Sequence, residues 1–456
     1  MESKRVQIQL LQSQQYNGII ISTDLCKELG IDSQKNIYVQ LGERKVWTRI
    51  LKTKRTDLSI IIPTSLRTEL NIPFGGKLHV IVENDTLRIG PVVGILTTGI
   101  QVKDHQLISQ RASFFKHLLS AQKEESLFYF LFTPADVNWS NKIVSGLFLS
   151  QNNGVAVWRR GSIPFPDVVY NRIPDRGSER TASVQDFKTK LANLTQAQMF
   201  NPTFFNKWAI HQQLVNHPTV GQYIPETFHS PNLNTIQMML KKYRLVYLKP
   251  VGGSLGLGIL RITFKPGEGY FCRYNNGSNN ILRRYRNLSS LIATHLPRQR
   301  MNNYLVQQGI SLIKYEDRPL DFRVHVHKNR ENQWVVAAIA AKIAGEGSVT
   351  THVRTGGTVL SGQELLKEVY YSQGEYFAEQ VRECTIQLAE VIETKLKQNI
   401  GELGFDIGID TKGRIWMFEA NSRPGRSIFK YDSFKEADQR SIHLIVDYSR
   451  YLSKFN

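Results

Sequence analysis

Three short stretches carry residue types and spacings suited to handling anions and hard cations. The first, Leu248-Lys249-Pro250-Val251-Gly252-Gly253-Ser254-Leu255-Gly256-Leu257-Gly258, ends an apolar run in a lysine and then packs four glycines and a serine into seven residues. Glycines let backbone N–H groups approach and wrap an anion, and the lysine adds a full positive charge. That composition favours a phosphate cradle over a flexible surface turn. A Walker A loop places its lysine after the glycines, so this is a different device.

The second stretch is Gly404-Phe405-Asp406 through Asp410-Thr411-Lys412-Gly413 to Phe418-Glu419-Ala420-Asn421. Asp410–Gly413 reads as a hairpin turn between two apolar strands. Glu419 and Asn421 stand two apart and share one face if the strand continues that far. A two- or four-residue connection would bring Asp406 to the same face, and a three-residue connection would not. Two carboxylates and an amide oxygen make a hard oxygen site of the kind that suits Mg²⁺. The third stretch is Asp321-Phe322-Arg323-Val324. An arginine alternating with apolar residues needs a partner, because an unpaired buried charge is costly. Asp321 is the nearest, and a structural ion pair and a phosphate clamp are equally open readings.

The elements that must position these groups follow from periodicity. Strand-like runs occur at Leu245–Lys249, Tyr304–Gln307, Phe322–His327, Val335–Ile343, Phe405–Ile409 and Ile415–Glu419, with helices at Lys207–Val215, Asn234–Tyr243, Glu375–Gln398 and Glu436–Leu452. Together they read as one mixed sheet with helical cover. Upstream, Val92–Leu96, Leu127–Phe132, Val155–Trp158 and Val168–Tyr170 alternate with a helix around Gln110–Ala121, a strand–helix–strand pattern that implies parallel pairing. No G-x-G-x-x-G follows the first of these strands, so no dinucleotide is placed there. The first 90 residues hold an internal repeat. Ile19-Ile20-Ile21 to Ile31 reappears at an offset of 41 as Ile60-Ile61-Ile62 to Ile72, and the match persists to Val39 over Val80. Each copy reads as strand, short helix, turn and strand, and two such units bury their apolar faces by interlocking into a small β-barrel. Boundaries are expected at 1–91, 92–180 and 181–456.

Composition bounds the function classes. The chain has 456 residues, 41% hydrophobic and 21% charged, which excludes a disordered or low-complexity protein. Its apolar runs are far short of the ~20 residues of a membrane helix, and the start lacks a secretory core, so an intracellular, cytoplasmic protein without a membrane partner is expected. Three distant cysteines exclude a disulfide framework and an ordinary zinc module. The net charge of +19 favours anionic partners, whether nucleotide, nucleic acid or acidic polymer. The chain shows no C₂H₂, RRM or KH signature for nucleic acid.

In order, Lys207, Lys249 with its glycine loop, Gln307-Gln308-Gly309-Ile310, Asp321 and Arg323, Gly356-Gly357, Asp406 and Glu419-x-Asn421 resemble the ATP-grasp pattern. More closely, Asn206-Lys207-Trp208, Val306-Gln-Gln-Gly-Ile310, Phe322-Arg323, Phe418-Glu-Ala-Asn421 and Pro166-Asp-Val-Val-Tyr-Asn-Arg172 resemble the YheC/YheD family of endospore coat-associated ATP-grasp proteins. The resemblance implies an α+β and α/β multidomain chain: an ATP-grasp fold preceded by a Rossmann-like pre-ATP-grasp domain and the duplicated barrel. It further implies that Lys207 and Lys249 contact ATP phosphates beneath a loop containing Gly252, Gly253, Ser254, Gly256 and Gly258. Gln307, Gln308 and Ile310 would meet adenine, Arg323 would act with Lys249 on the transferred phosphoryl group, and Asp406, Glu419 and Asn421 would hold Mg²⁺. The implied reaction is ADP-forming ligation of a carboxylate to an amine through an acylphosphate, with an acidic substrate hinted at by the basic surplus. Two alternatives stand beside it: a weakly active or inactive scaffold that joins coat proteins, and a basic nucleic-acid binder. The chain departs from the pattern at His352, where relatives commonly carry asparagine, at Lys342, where many carry arginine, and at Gln308, a glutamate in better-known ligases. Lysine in place of arginine loses a bidentate fork.

Overall fold

The structure is a computed structural model and describes residues 3–13, 15–31, 36–152, 155–253, 257–277, 279–296, 301–348, 351 and 357–455. The chain forms two compact units. One comprises Met1–Thr203, Lys328–Gln333 and Ile442–Asn456, and the other Phe204–His327 and Trp334–Ser441.

The first unit begins with the duplicated sequence. Strands β1 (Lys4–Leu11), β2 (Ile19–Ser22), β3 (Asn36–Leu41), β4 (Arg44–Thr53), β5 (Ser59–Pro63), β6 (Gly76–Glu83) and β7 (Thr86–Gly90) close into a barrel in the order β1-β5-β2-β4-β3-β7-β6. Helix α1 (Thr23–Glu28) follows β2 and helix α2 (Thr64–Leu70) follows β5, as the repeat predicts. In the first copy the Ser22 hydroxyl accepts from the Leu25 N–H and caps α1, whereas Pro63 holds the equivalent place in the second without a side-chain cap. Ile19, Ile21, Leu25, Ile60, Ile62, Leu66 and Leu70 are buried in a shared core. Each such side chain stabilises by roughly 1.5–3 kcal/mol, which neither copy could obtain alone.

In the rest of this unit Val92–Leu96 lies parallel to both Phe128–Phe132 and Val168–Asn171, and the latter is parallel to Gln198–Phe200. The helix Ala112–Glu125 buries Phe115, Leu118 and Leu119 against this sheet, together with Ile442, Ile445, Val446 and Tyr448. A long antiparallel hairpin, Ile143–Asn152 with Val155–Pro164, extends the sheet on one side.

The second unit differs from the single mixed sheet expected. It contains two sheets, and every pairing described in them is antiparallel. One has the order Thr227–His229, Tyr304–Gln308, Leu245–Pro250, Leu260–Lys265, Gly269–Asn276, Asn279–Tyr285, and its apolar face (Val246, Leu248, Ile262, Cys272, Val306) packs on Ile236, Met239, Leu240 and Leu291 of two helices. The other has the order Thr358–Ser361, Trp334–Ile343, Arg318–Lys328, Glu402–Ile409, Ile415–Asn421, with a separate core shared with the helices Lys207–Leu214, Gly362–Tyr370 and Gly374–Leu396. Two independent cores, each with its own helical cover, are why one sheet does not form. Among the described residues, no helix is long and apolar enough to cross a membrane.

Candidate active site

The hairpin that carries Asp406, Glu419 and Asn421 decides the geometry. Asp410 and Arg414 close it through Asp410 N–H to the Arg414 carbonyl at 2.9 Å, leaving Thr411-Lys412-Gly413 as a three-residue connection with Gly413 at φ +80°. Ile409 pairs with Ile415, Gly408 with Trp416 and Ile407 with Met417. Continued unchanged, that register would set Phe418 opposite Asp406 and turn Glu419 into the core. Instead the register shifts between Asp406 and Ile407, so that Asp406 pairs with Glu419 and Gly404 with Asn421. One extra residue, Phe418, is absorbed as a β-bulge, which restores the parity that a three-residue connection costs. Met417 and Ala420 stay in the core, while Glu419 and Asn421 join Asp406 on the opposite face. Gly408 makes room: the Phe418 ring lies 2.6 Å from where a Cβ would stand.

On that face the charges interlock. Asp406 receives Arg323 Nη2 at 3.3 Å and Lys342 Nζ at 2.8 Å. Burial opposes ionisation of Asp406, but Arg323 and Lys342 outweigh it and hold the carboxyl down to about 2. Lys342 also reaches Asp321 at 2.9 Å, and the Thr351 hydroxyl donates to the other Asp321 oxygen at 2.5 Å. Burial lifts the Asp321 carboxyl above its usual range despite Lys342. Asp321 therefore does not pair with Arg323, its sequence neighbour: the arginine crosses to Asp406 on the adjacent strand, where Arg323 is the register partner of Asp406. Glu419 pairs with Lys207 at 3.2 Å. The Asn421 amide, oriented by its hydrogen bonds, donates to Glu419 Oε1 at 3.0 Å and accepts from Arg323 Nη1 at 3.2 Å. Lys207 opens its helix directly after Asn206, whose side chain accepts from the Trp208 and Ala209 N–H groups as an N-cap.

The Leu245–Pro250 strand supplies Lys249. Its Nζ donates to Gln307 Oε1 at 2.5 Å, and the Gln307 amide in turn donates to the Thr227 hydroxyl at 3.2 Å. Burial and the nearby charge of Lys207 lower the Lys249 ammonium to about 8. The aromatic faces of Tyr247 and Phe418 lie 5.5 and 5.7 Å from the ammonium. Gln308 accepts from the Glu226 N–H through its side chain at 3.3 Å, and Ile310 is buried. Of the glycine loop, Gly258 takes φ +72° and has the Tyr304 hydroxyl 3.1 Å from where a Cβ would stand, so a side chain is excluded twice over. Gly252 and Gly253 are also described, while Ser254, Gly256 and His352 lie outside the described residues.

The structure thus brings Lys207, Arg323, Asp406, Glu419 and Asn421 into one network, and Lys249 and Gln307 into another. Sequence reading noted Lys342 as a departure but missed its double ion pair, and it missed Thr351 and the spacing role of Phe418. The sequence carried no signal of the bulge, because Phe418 reads as one more apolar residue of the run Ile415-Trp416-Met417-Phe418.

A family model described as YheC/D-like ATP-grasp matches residues 196–452, more than half of the chain. The chain belongs to the YheC/D-like ATP-grasp family. Endospore coat-associated protein YheD of Bacillus subtilis (strain 168) is 33% identical over 421 residues, which cover 92% of this chain and 91% of that one. Endospore coat-associated protein YheC of the same organism is 22% identical over 320 residues, covering 69% and 85% respectively. Among solved structures, D-alanyl-alanine synthetase A from Vibrio cholerae O1 biovar eltor str. N16961 superposes with a TM-score of 0.44 at 13% identity, covering 80% of this chain and 100% of that one. Every residue of the two networks lies inside the segment matched to the YheC/D-like ATP-grasp family.

Proposed function

We propose that this protein binds Mg·ATP and ligates a carboxylate to an amine, releasing ADP and phosphate. What carries the reading is the bulge at Phe418, because it gathers two carboxylates and an amide on the face that also presents Lys207, Arg323 and Lys342. Phosphoryl transfer asks a protein for positioning and for charge stabilisation rather than for a nucleophile. Lys207 and Lys249 hold the phosphates under the segment that includes Gly252, Gly253 and Gly258, and Gln307, Gln308 and Ile310 form the adenine side. Arg323 and Lys342 neutralise charge as it develops on the transferred group. The substrate carboxylate attacks the γ-phosphorus, the bond to the β-phosphate oxygen breaks, and the amine then displaces phosphate from the acylphosphate.

Asp406, Glu419 and Asn421 fit a magnesium ion. All are oxygen donors, they share a face, and Asp406 is held ionised throughout the neutral range. They would hold the ion, which would supply Lewis-acid charge neutralisation to the phosphates. Lys342 and Lys207 now balance these carboxylates, so the anions are compensated before any ligand arrives. The relatives' names carry the further proposal that this chain, too, associates with the endospore coat.

Thermal unfolding with Mg·ATP tests the reading. A ligand at 100 times its dissociation constant stabilises the native state by about 2.7 kcal/mol. The expected result is a magnesium-dependent rise in midpoint that Glu419→Ala abolishes, followed by ADP release on screening carboxylates with amines. Absence of any shift at millimolar nucleotide would sink the nucleotide-binding proposal. A shift without ADP release from any carboxylate would leave a binding scaffold in place of a ligase.

A further inference from the structure

The barrel contains two hairpins with two-residue connections, and only one of them is covered. The β3–β4 hairpin pairs Tyr38 with Trp47 and Gln40 with Lys45, while β6–β7 pairs His79 with Gly90 and Ile81 with Arg88. The repeat sets Tyr38 over His79 and Gln40 over Ile81, while β4 and β7 are not copies of one another, since β4 lies against β2 and β3 as β1 lies against β5 and β6. All these side chains point outward, since the alternate residues Val39, Val80, Leu87 and Ile89 fill the barrel.

On the β6–β7 hairpin this outward face is closed by the chain itself. His79 and Ile81 are buried, and Arg88 Nη2 meets Asp167 Oδ1 at 3.2 Å and the Ser453 carbonyl at 3.1 Å. The Phe455 ring lies 4.9 Å from the Arg88 guanidinium and 3.0 Å from where a Cβ on Gly90 would stand. An aromatic side chain, a carboxylate and a main-chain carbonyl thus cover a cation and a glycine. On the β3–β4 hairpin the outward face is open. Trp47 is 52% and Tyr38 39% exposed, their ring centroids are 4.5 Å apart, and Lys45 Nζ stands 4.2 Å over the Tyr38 ring. Arg49, two residues beyond Trp47 on the same face, is also exposed. No described residue plays for this hairpin the part that Asp167 and Phe455 play for β6–β7.

We infer that the Tyr38–Trp47 face is a docking surface for an acidic polypeptide segment of a partner protein, one that places an aromatic side chain on the ring pair and carboxylates on Lys45 and Arg49. The charge of the face is complementary to such a segment, and the other hairpin of the same barrel shows an outward strand surface accepting a carboxylate and a phenyl ring. Exposed aromatic and basic residues that are desolvated on contact are the types that dominate binding energy at interfaces. This inference does not depend on the nucleotide chemistry, which rests on the other unit.

The test is fluorescence anisotropy of a labelled random copolymer of glutamate and tyrosine titrated with the full chain, beside plain polyglutamate and a single-stranded oligothymidylate. Trp47→Ala and, separately, Lys45→Glu should each weaken copolymer binding by about tenfold or more without moving the unfolding midpoint. Lys45→Glu keeps both rings in place, so it reports even if the Trp47 variant is unstable. The paired control Lys265→Ala/Arg284→Ala, which removes exposed basic groups elsewhere, should leave binding unchanged. Unaltered binding in both barrel variants, or an equal loss in the control, would overturn the proposal in favour of diffuse charge. Tighter oligothymidylate binding that depends on Trp47 and Lys45 would overturn it in favour of a nucleic-acid surface.

Discussion

The hairpin of β3 and β4 and the hairpin that ends at Asn421 are built from similarly alternating strands, yet they treat register differently. In the barrel, a two-residue connection (Gly42-Glu43) leaves one register intact from Leu41 opposite Arg44 to Asn36 opposite Arg49. In the site hairpin, the three-residue connection sets one parity and the bulge at Phe418 replaces it with the other. The first arrangement keeps the pattern of apolar and polar residues a direct map of inside and outside. The second spends a residue to re-aim a carboxylate and an amide, which is how bulges are used beside functional sites. Structural economy and chemical aim therefore sit in different hairpins of one chain.

The comparison can be broken most forcefully by one inserted alanine between Phe418 and Glu419. Glu419 should then face the core and lose Lys207, destabilising its unit by about 3 kcal/mol or more and erasing the Mg·ATP shift in calorimetry. Deleting Phe418 instead should straighten the ladder with Glu419 still opposite Asp406, so part of the ligand shift should survive. The barrel hairpin is expected to respond through its turn. Gly42 has φ +52°, and a methyl there would run into the Phe165 carbonyl, so Gly42→Ala should cost about 1–3 kcal/mol in urea unfolding. The nucleotide response, which belongs to the other hairpin, should be unchanged in that variant. A smaller effect sharpens the contrast through pH. Lys249 loses its proton near pH 8 in the free protein, and phosphate raises that pKa, so binding takes up a proton above about pH 8. Nucleotide affinity should fall as pH rises through that value, and calorimetric heats should differ between buffers of different ionisation enthalpy. A Lys249→Met variant should lose the dependence.

The offset of 41 and its isoleucine triplets made the barrel legible, because a two-residue turn leaves periodicity undisturbed. Lys249 and the spacing Glu419-x-Asn421 fell on the strands Leu245–Pro250 and Ile415–Asn421, each at the end of an apolar run. Parity between Asp406 and Glu419 was not legible, since it depends on a turn length and a bulge that alternation does not encode. Asp321 and Arg323 looked like partners because they are near in sequence, but each is satisfied from a neighbouring strand, by Lys342 and Asp406 respectively. The three strands between Leu260 and Tyr285 escaped notice: one face carries Arg261, Arg273 and other polar groups, so few apolar residues stand in a row. A single mixed sheet was expected because the pattern says which runs are strands but not which of them share a core.

The barrel closes through β1, which lies parallel to β5 on one side and antiparallel to β6 on the other. That strand stands to β5 and β6 as β4 stands to β2 and β3, so each copy contributes three strands and β7 fills the gap between β3 and β6. A chain shortened past Leu11 would present two bare edges, on β5 and β6, and bare edges recruit strands from neighbouring molecules. For anyone preparing fragments of this protein, the eight residues from Lys4 to Leu11 decide whether the barrel is closed or leaves two strand edges open to other chains.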